Sequence, residues 1–164
     1  MILILGRFQP LHKGHMKVIK DVFEEDKDIV IAIGSAQRKN EKENPFGGDE
    51  RKLMVEKTLK ANNIPARVVL VPNLDSDKYY VAHVEEHVGG KPAKVITENP
   101  WTINLFTKAG YEVVVTDRHF ELSATEIREK IAKGEKWEDL VPEQVAEFIK
   151  EIDGVVRIKK LYAD

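Results

Sequence analysis

The sequence contains no cysteine. Disulfide frameworks, thiolate zinc sites and thiol nucleophiles are thereby excluded, and nothing calls for an oxidising compartment. Long apolar runs are also missing. The longest stretches, Met1–Leu5 and Ile29–Ile33, fall far short of the ~20 residues that cross a bilayer. The N-terminus has neither the charged n-region nor the cleavage site of a signal peptide, so a cytoplasmic location is the default expectation. No sign of charge dominates. Twenty-six Lys and Arg oppose 28 Asp and Glu, a formal net charge of -2. That balance argues against indiscriminate binding to nucleic acid or to anionic membranes, while leaving room for a local basic pocket. There is no internal repeat, low-complexity tract or linker.

What is present suits one globular domain over residues 1–164, with a helical part from about residue 123. The chain has 164 residues, 42% of them hydrophobic and 33% charged. Abundant Lys and Glu without Cys would suit a thermophile. Met1–Leu5 reads as a strand buried on both faces. Lys13–Glu25 carries Met16, Ile19, Val22 and Phe23 at helical spacing. Further strands are predicted over Asp28–Ile33, Ala66–Val71, Lys94–Thr97 and Tyr111–Val115. Helices are predicted over about Asp49–Asn62, Asp77–His87 and Pro100–Ala109, from Ser123 to Gly134, and in the C-terminal region around Val145, Phe148, Ile149 and Ile152. Five short apolar strands separated by helices predict crossover units: an α/β, Rossmann-like, five-stranded parallel sheet with helices on both faces. Such sheets bind ligands at the carboxyl ends of their strands.

The first strand–helix junction reads Gly6-Arg7-Phe8-Gln9-Pro10-Leu11-His12-Lys13-Gly14-His15. It is neither a dinucleotide fingerprint nor a P-loop. It does gather two His, an Arg and a Lys around a helix start, where unpaired N–H groups and a partial positive charge favour phosphate. His12 and His15 lie one turn apart, so both rings can project to the same side. Gly14 between them lets a ligand approach the backbone. A metal pair is one competing reading, weakened because no Cys or third His is near and catalytic zinc takes three protein ligands. Two surface histidines at a capped helix are another. Downstream, Ser123, Thr125 and Arg128 share a predicted helix start, with Glu126 placed to complete a capping box on Ser123. Taken alone, that is an ordinary capped helix. Beside the first junction, a shared polyphosphate is the more economical reading.

The string Gly6–His15 contains the H-x-G-H signature of the nucleotidyltransferase superfamily, and it resembles archaeal-type nicotinamide mononucleotide adenylyltransferases more closely than other members. Further matches follow in order: Ile33–Gln37, Glu43-Asn44-Pro45-Phe46, Glu50-Arg51, Leu122–Arg128 with its S-x-T-x-x-R pattern, Gly134–Pro142 and Ile152–Arg157. The resemblance implies adenylyl transfer, with the phosphate of a mononucleotide attacking the α-phosphorus of ATP in line and releasing pyrophosphate. It implies an ATP site of Gly6, Arg7, Phe8, His12, Lys13, Gly14, His15, Ser123, Thr125 and Arg128. His12 and His15 would lie by the α- and β-phosphates, and Arg128 by the leaving pyrophosphate. It implies Mg²⁺ held mainly by phosphates and water rather than by a protein metal site. It implies acceptor contacts from Phe46, Arg51, Asp77, Tyr80 and Asn99. It also implies a homo-oligomer, commonly a hexamer, with no nucleic acid or membrane partner.

Three segments depart from the family pattern. Asp77 and Tyr80 stand where an Asn and a Trp are usual, although Tyr80 can stack on a pyridinium and Asp77 can accept from a carboxamide. Glu98 stands where a Gly normally permits close approach. Gly47-Gly48 precedes Glu50-Arg51 and suggests a more mobile substrate loop. Nicotinate mononucleotide, phosphopantetheine or flavin mononucleotide are alternative acceptors. A non-catalytic nucleotide sensor is the alternative to an enzyme. A tRNA synthetase fragment is disfavoured by the short chain and the missing lysine-rich loop.

Overall fold

The computed structural model describes residues 1–116 and 120–163, apart from the side chains of residues 120–122. Leu122, quoted above in the second motif, is therefore placed by its backbone alone. The elements run β1 (Ile2–Gly6), α1 (Lys13–Glu25), β2 (Ile29–Ile33), α2 (Gly48–Ala61), β3 (Arg67–Leu70), α3 (Asp77–Val88) and β4 (Lys94–Ile96). They continue through α4 (Pro100–Lys108), β5 (Val113–Val114), α5 (Phe120–Lys133), a 3₁₀ turn (Glu138–Leu140), α6 (Glu143–Glu151) and α7 (Gly154–Tyr162).

The strands pair in parallel in the order β3-β2-β1-β4-β5. The central run alternates between two cores, as a pleated strand buried on both faces must. Ile2 and Ile4 enter one core and Leu3 and Leu5 the other; Ile29, Ile31 and Ile33 are likewise separated from Val30 and Ala32. The first core is completed by Met16, Ile19, Met54, Ile127, Ile149 and Ile158, from α1, α2, α5, α6 and α7. The second is completed by Tyr80, Val84 and Val88 of α3 and Phe106 of α4. Helices thus cover both faces. Each such aliphatic side chain contributes roughly 1.5–3 kcal/mol by leaving water. Chain progression reverses beside β1, because β2 lies on one side of it and β4 on the other. That reversal opens a crevice at the carboxyl ends of β1 and β4.

Several boundaries differ from the sequence expectation. β5 shrinks to Val113–Val114. Tyr111, expected in it, instead donates its hydroxyl to Glu85 at 2.5 Å and packs edge-on against Phe106. A short edge strand exposes few unpaired backbone groups. α5 begins at Phe120, not Ser123, so Ser123 is its fourth residue and does not cap it. Glu121 and Leu122 are good helix formers, and nothing in their chemistry stops the helix from starting earlier. Gly47 and Gly48 are not simply loop: Gly47 caps α2 and Gly48 is its first residue. A Cβ on Gly48 would lie 2.5 Å from the Ala36 carbonyl oxygen, so glycine is what allows α2 to start against the end of β2. In the C-terminal part, Ile149 is fully buried while Val156 is 51% exposed, so only part of that apolar stripe packs internally.

Arg157 of α7 ties the C-terminal helices to α2. It makes a bidentate pair with Glu50 at 2.6 and 2.9 Å and donates to the Pro45 carbonyl at 3.0 Å. That pair holds the Glu50 carboxyl below its ordinary range against the opposing effect of burial. No helix among the described residues is long and apolar enough to cross a membrane.

Candidate active site

β1 delivers the chain to the crevice, and the β1–α1 junction is folded back on itself. Phe8 takes a left-handed φ of 55° and is buried in the core. Its ring would stand 3.3 Å from a Cβ on Gly6, so Gly6 makes room for Phe8. Both expected nucleotide contacts therefore shape the loop. Gln9 is buried and pairs through both amide atoms with the backbone of Phe46, at 2.9 and 3.1 Å.

His12 caps α1. Its Nδ1 accepts the Gly14 N–H at 3.0 Å, and the His15 Nδ1 accepts the His12 N–H at 3.0 Å. The imidazoles thus do for each other's backbone what Ser and Glu do in an ordinary capping box. Their rings lie 3.8 Å apart, on one side of the helix as the spacing predicted, and both residues are buried. A ring that accepts at Nδ1 carries its hydrogen on Nε2, so the backbone bonds assign both imidazoles as Nε2–H donors. Burial, and secondarily the neighbouring His12, holds the His15 imidazole well below its ordinary 6.5. At neutral pH His15 is therefore a neutral donor.

This lowering has a consequence for stability. Between pH 6.5 and the lower folded value, the unfolded chain binds a proton at residue 15 that the folded chain does not. Stability therefore falls as the pH drops through that window, by up to about 1.4 kcal/mol per pH unit. The loss is expected to be smaller in His15→Gln. Denaturant midpoints for both proteins between pH 7.5 and 5.5 measure the difference, and parallel profiles would contradict it.

Positive charge is built beneath this junction. Arg51 of α2 is fully buried. Its guanidinium donates to the carbonyls of Arg7 and Gly34 at 2.9 Å, Ser35 at 2.9 Å, and Arg38 and Gly47 at 3.3 Å. Burial and the nearby Arg7 lower it to about 10, which still leaves it charged at neutral pH. Arg128 of α5 is buried as well. It donates to the Gln9 carbonyl at 2.9 Å, to the Thr125 hydroxyl at 3.2 Å and to the Tyr162 hydroxyl at 3.4 Å. The two motifs far apart in sequence therefore meet at Gln9. Ser123 and Thr125, at or beyond the first turn of α5, bring hydroxyl groups rather than the backbone N–H groups expected of a cap. Lys13 is exposed at the start of α1.

A cavity of about 130 Å³ opens at the carboxyl ends of β1, β2 and β4. Gly6, Arg7, His15, Ser35, Glu98 and Trp101 are among its walls, with Tyr80, Asn99 and Thr102. Arg7 donates to Asn44 at 3.1 Å, and Glu98 accepts from Thr116 at 3.2 Å. Asn99 caps α4, accepting from the Trp101 and Thr102 N–H groups at 3.0 and 3.2 Å. Phe46 and Arg51, expected at the acceptor, stand behind this cavity: both are fully buried, Phe46 in the first core and Arg51 among carbonyls. They support the loops and are not among the residues that wall this cavity. A larger groove of about 810 Å³ lies beside α1, over Ile2, Ile96 and Val114, and shares none of the residues that wall the first cavity. The sequence reasoning missed Trp101, which is 40% exposed at the start of α4. Its place directly after the Asn99-Pro100 cap, following the fourth strand, was the available signal. Among the described residues no three His, Asp or Glu side chains are grouped to hold a metal ion. The junction gathers N–H donors, a chemistry that suits anions.

The cytidylyltransferase-like family profile matches residues 3–130. The nicotinamide-nucleotide adenylyltransferase of Thermoplasma volcanium is 42% identical over 162 residues, covering 96% of this chain and 90% of that one. The protein of the same name from Pyrococcus abyssi is 43% identical over 163 residues, 97% of this chain and 87% of that one. Among solved structures, a bifunctional NMN adenylyltransferase/ADP ribose pyrophosphatase from Francisella tularensis, complexed with AMP and a Mn ion, superposes with a TM-score of 0.75 at 23% identity. The match covers 99% of this chain and 52% of that longer one, so it speaks for the fold alone.

Proposed function

This chain belongs to the cytidylyltransferase-like family, and from that premise we propose that it transfers the adenylyl group of ATP to nicotinamide mononucleotide, giving NAD and pyrophosphate. The observation that carries the reading is the reciprocal His12–His15 cap beside the β1–β4 crevice, in which each imidazole accepts a backbone N–H at Nδ1 and so carries its hydrogen on Nε2, at a helix N-terminus. The names of the full-length relatives supply the substrates.

In this reading a phosphate oxygen of the mononucleotide forms a bond to the α-phosphorus of ATP. The bond between that phosphorus and the bridging oxygen to the β-phosphate breaks, and pyrophosphate leaves. The nucleophile is already anionic, so no general base is required. Catalysis reduces to bringing two anions together and stabilising charge that develops at the α- and β-phosphates. The Nε2–H groups of His12 and His15 would donate to those oxygens. As a neutral donor His15 costs less to bury than a charge would. Arg7 and Lys13 line the approach with positive charge. Arg128 would hold the departing end through its charge and its hold on Gln9, with the Ser123 and Thr125 hydroxyls beside it. Gly14 leaves the backbone open to the triphosphate. ATP would enter as its Mg²⁺ complex, the ion carried by phosphate oxygens and water, because the side chains at the junction offer N–H donors and not lone pairs. We place the enzyme in the cytoplasm. The resemblance also supports a homo-hexamer, and sedimentation at the 18.7 kDa of one chain would exclude an oligomer.

The test is pyrophosphate release from ATP and Mg²⁺ with a panel of nicotinamide, nicotinate and flavin mononucleotides and phosphopantetheine. Release with a pyridine mononucleotide is expected. Binding of ATP without release from any acceptor would overturn the reading in favour of a nucleotide sensor.

A further inference from the structure

Resting on the adenylyl-transfer reading, we propose that Lys42 and Tyr162 form an outer clamp on the departing pyrophosphate: Lys42 contacts it, and Tyr162 positions both Lys42 and Arg128. Neither residue belongs to the motifs that carry the family resemblance. Lys42 falls between Ile33–Gln37 and Glu43–Phe46, and Tyr162 lies beyond Ile152–Arg157. Tyr162 is the last residue of α7, half-buried, with its ring packed against the first core. Its hydroxyl accepts the Arg128 Nε–H at 3.4 Å. Over the same ring, 4.9 Å from its centre, stands the Lys42 ammonium, within the range of a cation–π contact.

The loop that carries Lys42 is tied to the rest of the site at three places. Phe46 pairs through its backbone with the Gln9 amide, Asn44 accepts from Arg7, and the Pro45 carbonyl accepts from Arg157 of α7. The Gln9 carbonyl in turn accepts from Arg128. Lys42, Tyr162 and Arg128 are therefore members of one closed circuit of contacts that passes through the β1–α1 junction. A guanidinium has five N–H donors. Tyr162, Gln9 and Thr125 engage one each on Nε, Nη1 and Nη2, which leaves one on either terminal nitrogen among the described residues. Such terminal N–H groups suit a phosphate. Charge points the same way. Arg38, four residues before Lys42, is paired with Glu41 at 3.1 Å. Among the described residues neither Lys42 nor Arg128 has a carboxylate partner of that kind. One phenol ring thus holds two cations with no described carboxylate to offset their repulsion, and a pyrophosphate supplies that offset.

The experiment measures KM for ATP with Mg²⁺ and for the mononucleotide, KM for pyrophosphate in the reverse reaction with NAD, and binding of inorganic pyrophosphate by calorimetry. Lys42 is exposed, so Lys42→Met removes the charge without disturbing the core. It is expected to raise KM for ATP and for pyrophosphate about tenfold, the scale of one charge-assisted contact, with KM for the mononucleotide unchanged. Lys42→Arg is expected to recover most of that loss, because it restores the charge. Tyr162→Phe keeps the ring beneath Lys42 and releases the Arg128 Nε–H, so it is expected to lower kcat about fivefold. In Tyr162→Leu the ring that seats the ammonium is gone, and adding Lys42→Met is expected to cost nothing further. An ATP KM unmoved by Lys42→Met, a loss that Lys42→Arg does not recover, or additive losses in the double variant would overturn the inference alone. Silence of the unmodified protein with every acceptor would overturn the underlying reading. Pyrophosphate binding then still decides the clamp, which falls if Lys42→Met binds it as tightly as the unmodified protein does.

Discussion

His15→Ala is expected to slow turnover by about 10²–10³-fold, the usual cost of removing one donor aimed at developing charge. The side chain has two jobs, and the variant separates them. Its Nε2–H is assigned to the phosphate, and its Nδ1 accepts the His12 N–H at 3.0 Å. Loss of the second contact leaves an N-cap amide without that partner, which costs about 1 kcal/mol of helix stability. For a domain of this size that is a shift of about 2–4 °C in Tm. A hundredfold or greater loss of turnover, with a Tm shift confined to that range, therefore identifies the chemical role. Single-turnover measurement at saturating ATP isolates the step from product release. Near-normal turnover with an intact fold would remove His15 from the mechanism.

Arg51→Met is expected to act in the opposite way, through the fold. The guanidinium is fully buried and joins the carbonyls of Arg7, Gly34, Ser35, Arg38 and Gly47, which belong to the two loops that frame the crevice. Methionine fills similar space but donates nothing. Each orphaned buried carbonyl costs about 1–3 kcal/mol, less whatever water can reach it. A total loss of about 3–5 kcal/mol follows, in line with breaking other buried charged networks. That is a large share of a typical 5–15 kcal/mol stability, and corresponds to a fall in Tm of roughly 6–20 °C. Arg51→Lys is expected to recover little, because an ammonium cannot span five acceptors. Chemical denaturation of both variants measures this. A loss below about 1 kcal/mol would show that the loops hold themselves without the guanidinium.

These two residues also show how far the sequence could be read. The His12–His15 pair was legible because one turn of helix places its members side by side whatever surrounds them, and the rings do lie 3.8 Å apart. Arg51 was marked only by the Glu50-Arg51 resemblance, as an acceptor contact, and nothing in its own surroundings announced the buried supporting role it takes. Its neighbourhood in sequence is an ordinary amphipathic helix, and its five acceptors come from residues 4 to 44 positions away. Ser123 misled for a related reason. A Ser followed three residues later by Glu satisfies the capping pattern, yet α5 starts at Phe120. Trp101 was overlooked because its partner Asp77 is 24 residues distant, on a different helix.

Local chemistry therefore settled the strands, the order of elements and the helix start that carries His12 and His15. Strand burial follows from runs such as Met-Ile-Leu-Ile-Leu, and helix phase follows from spacing, both of which are short-range properties of the chain. The packing of the helices decided the rest: that Arg128 meets Gln9, that Arg51 and Phe46 support the crevice from behind, and that Trp101 supplies its open aromatic wall. Those outcomes depend on which desolvated groups find partners across the sheet, and contacts between residues so far apart are fixed only when the whole chain has closed.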